Sequence, residues 1–164
     1  MRDRDAVDDF LDQWAALRTD LDLGAMGTIG RILRLSRLVG GHLKDYFAEH
    51  GMETWEFDVL ATLRRNGTPL TAKELAASVM IGSAALTNRI DRLVARGLVA
   101  REPVPGNRRS LHIALTDEGR DLVDRTVEGH MRNQQRILAG LDDDDREDLS
   151  RILRTLLVSL GDTR

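Results

Sequence analysis

Between Thr71 and Leu115 the hydrophobic period of the chain switches from helical to alternating, and this switch constrains the fold more than any other feature. Thr71-Ala72-Lys73-Glu74 has the form of a capping box, with the Thr71 hydroxyl free to accept from the first turn and Glu74 able to reach back. It opens a short helix to about Val79 that buries Leu75 and Val79. Gly82-Ser83 restarts a helix that runs to Arg96 and is ended by Gly97. Leu98 to Arg101 and Leu111 to Leu115 then alternate like two strands around Pro103-Val104-Pro105-Gly106-Asn107. A capped helix, a tight turn, a second helix and a two-stranded hairpin make a helix-turn-helix followed by a wing.

The flanking segments are helical. Apolar residues recur at three- and four-residue steps from Val7 to Leu21 (Val7, Phe10, Leu11, Trp14, Leu17, Leu21). A joint around Gly24 and Gly27 leads to a second helix over Thr28–His50, with Gly51 as its terminator and Gly40-Gly41 marking close packing or a kink. Thr54–Arg65 is apolar on most of its circumference, so it is expected to be central and buried, with Asn66 to Pro69 as a turn. Thr116 caps a long helix to about Leu138. Asp142 to Asp145 open a last one whose Leu149, Ile152, Leu153, Leu156, Leu157 and Leu160 form a buried stripe. The expected fold class is mainly α, a winged helix-turn-helix with a small β-hairpin wing. The expected organisation is a single domain over 1–164, with a winged-helix lobe at 54–115 and N- and C-terminal dimerisation helices at 1–50 and 117–164.

Charge is distributed as a DNA reader requires. The formal total is −3, but Ser83 to Arg109 holds six arginines against Asp91 and Glu102, a net +4 that leaves −7 on the rest. On the Ser83–Arg96 helix, Leu86, Ile90 and Leu93 define the buried face. The opposite face carries Ala84 and Asn88, with Ala85, Thr87 and Arg92 on its flanks. Ser83, Ala84 and Ala85 are small enough for close approach to base edges. Asn88 can pair bidentately with adenine, and the Thr87 methyl suits thymine. Arg108 and Arg109 on the wing suit phosphate or the minor groove.

The run Leu86-Thr87-Asn88-Arg89-Ile90-Asp91-Arg92-Leu93, then Arg96-Gly97-Leu98-Val99, resembles the recognition helix and first wing strand of the MarR family. Asn107-Arg108-Arg109, followed by Leu115-Thr116-Asp117-Glu118-Gly119, resembles that family's wing motif Asp-x-Arg…Leu-Thr-x-x-Gly, with Asn107 where the motif has Asp. The resemblance spans about Ile29 to Leu160. It implies a homodimer joined by terminal helices and bound to a pseudo-palindromic, double-stranded operator as a transcriptional regulator, most simply a repressor.

A second constellation concerns charge near the core. Asp58 lies in the one narrow polar stripe of the third helix, with Thr54 and Arg65. Arg89 lies about 60° from the centre of the buried face of its helix, and Arg101 leaves on the first wing strand. A half-buried Asp and Arg either pair with each other, locking two lobes together, or await a ligand. Trp14-x-x-Leu17, Asp58, Arg89 and Arg101, in their local contexts, are similar to the urate-responsive subfamily of PecS and HucR type. That resemblance implies a ligand site of Trp14, Asp58, Arg89 and Arg101 for urate or a related purine. A phenolic or other aromatic carboxylate is the alternative effector.

Other chemistry is poorly served. The chain has no cysteine, which removes disulfides and thiolate metal sites. It carries no His-Glu-x-x-His, phosphate loop or dinucleotide fingerprint, and Gly82-Ser83-Ala84-Ala85 lacks the final glycine of a nucleophile elbow. His42, His50, His112 and His130 have no ligand-like spacing and are expected at the surface or an interface. No cofactor, metal or membrane partner is expected, and the charged start suits a cytoplasmic protein. A winged helix can also serve as a protein-interaction module, but the groove face here lacks acidic or bulky apolar residues at its start.

Overall fold

The near-continuous apolar girth of Thr54–Asn66, α3 below, is what organises the core. Phe57, Val59, Leu60, Ala61, Thr62 and Leu63 are all buried, because a helix without a polar face is stable only when packed on every side. The structure is a computed structural model that describes residues 3–79, 83–104 and 107–163; for 83–85, 104 and 107–110 only the backbone course is described. The chain forms two compact units, residues 1–45 and 46–164.

In the first unit, α1 (Ala6–Leu17) packs on the start of α2 (Gly24–Glu49). Asp5 caps α1, and Arg31 reaches Asp5 and Asp8 at 2.8 and 2.7 Å. Gly27 was expected in a joint but lies inside α2. A Cβ at Gly27 would stand 3.0 Å from Leu11, and one at Gly30 would stand 3.2 Å from Val7. The two glycines thus form the groove into which α1 settles. The first helix stops at Leu17 rather than Leu21, because Arg18 leaves helical geometry and pairs with Asp20. Among the described residues nothing lies within 4 Å of the Cβ positions of Gly40 and Gly41, so no close packing is seen at these two glycines.

The second unit holds the winged-helix elements. After α3 come β1 (Leu70–Thr71), α4 (Ala72–Ser78), α5 (Ser83–Ala95), β2 (Val99–Val104), β3 (Asn107–Leu115), α6 (Asp117–Ile137) and α7 (Asp143–Ser159). The predicted capping box closes as expected: Thr71 Oγ1 accepts from Glu74 N–H, and Glu74 accepts from Thr71 N–H at 2.8 Å. The sheet is antiparallel in the order β1-β3-β2, with Leu70 opposite Ile113 and Val99 opposite Leu115. Two strands were expected. The third, β1, is a two-residue edge too short to show a period. The pairing of β2 slips between Pro103 and Val104, where proline offers no N–H to the ladder.

The Leu115-Thr116-x-x-Gly119 motif has a local explanation. Thr116 Oγ1 donates to the Gly97 carbonyl at 2.7 Å and accepts from Gly119 N–H at 3.0 Å, tying the start of α6 to the end of α5. A Cβ on Gly119 would land on the Leu98 carbonyl oxygen. Phe47 and Phe57 stack with ring centroids 4.5 Å apart, and α6 brings the His130 ring to within 5.0 Å of each.

Two expectations fail here for one reason. The last helix buries none of its residues, with Ile152, Leu153 and Leu157 exposed along it and Leu160 at its C-cap. His130, expected at a surface or interface, is buried, because Tyr46 and Phe47 of α2 and Phe57 of α3 pack against its ring. Burial depends on which element packs where, and residue type alone does not reveal that. No described helix is long and apolar enough to cross a membrane.

Candidate functional site

On α5 the rotational setting agrees with the helical wheel. Leu86, Ile90 and Leu93 are buried, while Thr87 and Asn88 are exposed on the side away from the core. Ser83, Ala84 and Ala85 supply the first turn of α5, and Arg108 and Arg109 lie on the β3 backbone; their side chains fall outside the described residues, as does that of Asn107. The wing strands pair from Val99–Leu115 to Pro103–Leu111 and again at Val104–Asn107, and Arg108 and Arg109 lie on β3 between those last two pairings.

Arg92 was expected to flank the groove. Its guanidinium instead pairs with Glu53 and stacks over the Trp55 ring at 4.8 Å. An exposed carboxylate and an indole face both lie within reach of its long side chain at the N-terminal end of α3, and together they hold it there. Glu53 also accepts from Trp55 Nε1 at 2.7 Å. The Arg92 and Trp55 donors hold the Glu53 carboxyl below its usual pKa. Arg96 adds a third tie to the same corner, donating to Glu56 at 2.7 Å and to the Gly51 carbonyl at 3.0 Å. Glu56 is itself almost fully buried, so Arg96 supplies the partner its charge requires. Trp55 lies on the helix whose apolar girth predicts burial. It is half-buried and stands in an ionic corner instead.

The four candidate ligand residues are placed differently from one another. Asp58 is half-buried on α3, and among the described residues no cation lies within ion-pair distance of it. Burial pushes its carboxyl pKa up, while Arg65, His130 and Arg89 pull against that shift. Arg89 is half-buried with its guanidinium 5.2 Å from the Trp55 ring, so it lies on the inward side of α5, as the wheel predicted. Arg101 donates to Asp91 at 2.6 Å, an exposed pair that ties β2 to α5. Trp14 belongs to the first unit, half-buried on the α1 face that carries Val7 and Leu11.

Sequence reasoning missed His130. Its ring is buried among aromatic rings, its Nε2 lies 3.0 Å from Gln134, and among the described residues its Nδ1 has no partner. Burial lowers its pKa, and Asp58 offsets part of that shift. The signal that could have found it is the α6 spacing Val123, Thr126, His130, which puts the imidazole on the buried stripe. Among the described residues no group of three or more His, Asp or Glu side chains is placed to hold a metal ion.

Comparison with known proteins bears on this arrangement directly. Residues 50–110 match the MarR family model. The chain is 39% identical over 149 residues to the HTH-type transcriptional regulator PecS of Dickeya dadantii, covering 90% of each protein. The chain belongs to the MarR family. Its fold is similar to that of Bordetella bronchiseptica BpsR, whose DNA binding is regulated by 6-hydroxynicotinic acid (26% identity, TM-score 0.71, 78% of this chain and 91% of that one). It is also similar to a mutant MarR from Escherichia coli complexed with operator DNA (24% identity, TM-score 0.74, 82% and 97%), a likeness of fold. As a MarR-family member the chain is a DNA-binding transcriptional regulator rather than an enzyme.

Proposed function

We propose that the chain is a homodimeric repressor acting in the cytoplasm, which binds a pseudo-palindromic operator and is released by urate or a closely related oxopurine. Asp58 carries the effector reading: a half-buried carboxylate with a raised pKa, no ion pair among the described residues, and Arg89 close enough to act on it. An anionic ligand would meet Arg89 and Arg101 as hydrogen-bond donors and Asp58 as a like charge to be displaced. Arg101 is available because its exposed pairing with Asp91 is worth only about 0–1 kcal/mol. Trp14 enters the set through the resemblance of its surroundings and would supply a flat wall.

Operator reading falls to Ser83, Ala84, Ala85, Thr87 and Asn88 on α5 and to Arg108 and Arg109 on the wing, while Arg92 serves α5 from its flank. The dimer reading rests on α7, whose apolar stripe stays exposed among the described residues. An aromatic carboxylate is the second reading, favoured by the likeness to BpsR, which responds to 6-hydroxynicotinic acid.

The test is fluorescence anisotropy on duplexes flanking the gene, at several salt concentrations. Arg108→Ala or Arg109→Ala should weaken every duplex and flatten the salt slope by about one unit per lost phosphate contact. Asn88→Ala should relax discrimination at one base pair, by roughly 1–3 kcal/mol. Unchanged operator preference in Asn88→Ala would remove it from the base-reading set.

A further inference from the structure

Trp55 lies on α3, and two cations of α5 converge on its ring. The Arg92 and Arg89 guanidinium carbons stand 4.8 and 5.2 Å from the ring centroid. The two arginines are three residues apart, so they project from one side of the helix. Glu53 locks the indole by accepting from Nε1 with one oxygen and holds Arg92 with the other. The four side chains form a closed corner: Glu53 fixes Trp55, Trp55 faces both arginines, and Arg92 returns to Glu53.

This corner answers a geometric need. The Leu86, Ile90 and Leu93 stripe seats α5 on the core, but an apolar stripe alone tolerates small rotations about the helix axis. Base reading requires a fixed rotation, since a few degrees move Asn88 out of line with a base edge. The Trp55 corner grips α5 from the flank and removes that freedom. Arg89 is the member that can leave. Arg92 has Glu53 as well as the ring, whereas Arg89 has the ring on one side and the field of Asp58 on the other.

We propose that Trp55 is a positioning residue for operator reading, and that it competes with the anionic effector for Arg89. Trp55 touches neither DNA nor ligand. Withdrawal of Arg89 from the indole loosens one side of the corner, and α5 turns away from its DNA-reading setting. The competition half rests on the proposal that Arg89 takes the anion; the positioning half does not. By linkage, whatever strengthens the Trp55 grip on Arg89 weakens the effector by the same factor.

The experiment uses the full-length protein and compares Trp55→Leu, Trp55→Phe and Glu53→Gln with the wild type. Operator affinity is read by anisotropy across salt concentrations, and urate binding to the free protein by calorimetry. Trp55→Leu should lose about tenfold in operator affinity with an unchanged salt slope, because no phosphate contact is removed. It should bind urate at least as tightly as the wild type, while the ratio of operator affinities with and without urate shrinks toward one. Trp55→Phe keeps a ring but loses the Nε1 donor and should fall between the two. Glu53→Gln, at the exposed N-cap of α3, should also weaken operator binding if the corner matters, and with its folding checked by urea denaturation it decides the positioning half should Trp55→Leu fold poorly. A folded Trp55→Leu protein with wild-type operator affinity overturns positioning. Undiminished urate release in that variant overturns the competition. If urate fails to bind the wild type, the effector reading falls and the competition with it, while the operator affinities still decide positioning.

Discussion

α3 and α7 are both helices with abundant apolar side chains, and they end in opposite situations. In α3 seven residues are buried, including the charged Glu56, whereas in α7 none is. The difference lies in the pattern. α3 is apolar round its girth and has α4, α6 and the sheet to meet each side. α7 confines its leucines to one stripe and faces the rest with arginine and carboxylate. A single-sided stripe left open, with Leu157 50% and Leu160 76% exposed, is the observation on which the proposed dimer rests. One helix therefore holds the fold of a protomer together, and the other is available to join two protomers.

The largest effect should come from charging the α7 stripe. Leu153→Asp with Leu157→Asp should convert a dimer to monomer or aggregate and abolish operator binding, as read by sedimentation and anisotropy. A variant that stays dimeric at micromolar concentration would break the comparison. A matched truncation then sharpens it. Leu60→Ala in α3 should cost about 2–5 kcal/mol of unfolding free energy at any protein concentration. Leu157→Ala should instead make the melting temperature depend more steeply on concentration, because it weakens association. Equal, concentration-independent losses in the two variants would show that α7 has an intrachain partner after all.

Gly119→Ala, at the α6 start that packs beside α5, should cost about 1–3 kcal/mol, since the new methyl meets the Leu98 backbone carbonyl rather than a movable side chain. Urea denaturation checks it, and a neutral result would mean that α6 shifts freely.

The smallest effect concerns His130 and Asp58, which sit where α3 and α6 meet. The native His130 pKa is depressed by burial, so the unfolded chain binds protons more readily below about pH 6.5. Stability should therefore fall as pH drops through about 6.5 toward the depressed native value. Asp58 runs the other way: its raised pKa favours the native state at low pH, and that contribution is lost as pH rises above about 3.9. His130→Gln should flatten the fall below about pH 6.5. An unchanged pH profile in that variant would mean that another group governs the acid side.

Much of this architecture was legible in the residues. The capping box at Thr71, the terminating Gly97 and the buried face of α5 follow from short-range rules, and the structure shows each of them. Contacts between elements were harder to foresee. Helical periodicity puts Arg92 on the groove flank, yet Glu53 and Trp55, far along the chain, capture it. The apolar girth of α3 put Trp55 on a buried helix and residue type put His130 at a surface or interface, whereas packing leaves Trp55 half-buried and His130 buried. Gly27 reads as a joint in sequence because its packing partner, Leu11, lies on the preceding helix. Of the candidate site, Asp58 and Arg89 were placed correctly as inward-leaning charges, but the Asp91 pairing of Arg101 depends on how β2 returns past α5.

The central claim is that an anionic purine releases this regulator from its operator by drawing on Arg89. The most direct measurement follows the preformed protein–operator complex by anisotropy during parallel titrations with urate, xanthine and salicylate, on the wild type and on Arg89→Ala. The account predicts release of the wild type by urate at concentrations where salicylate leaves the complex intact, and a blunted response in Arg89→Ala. Release by salicylate with no response to either purine at millimolar concentration would contradict it.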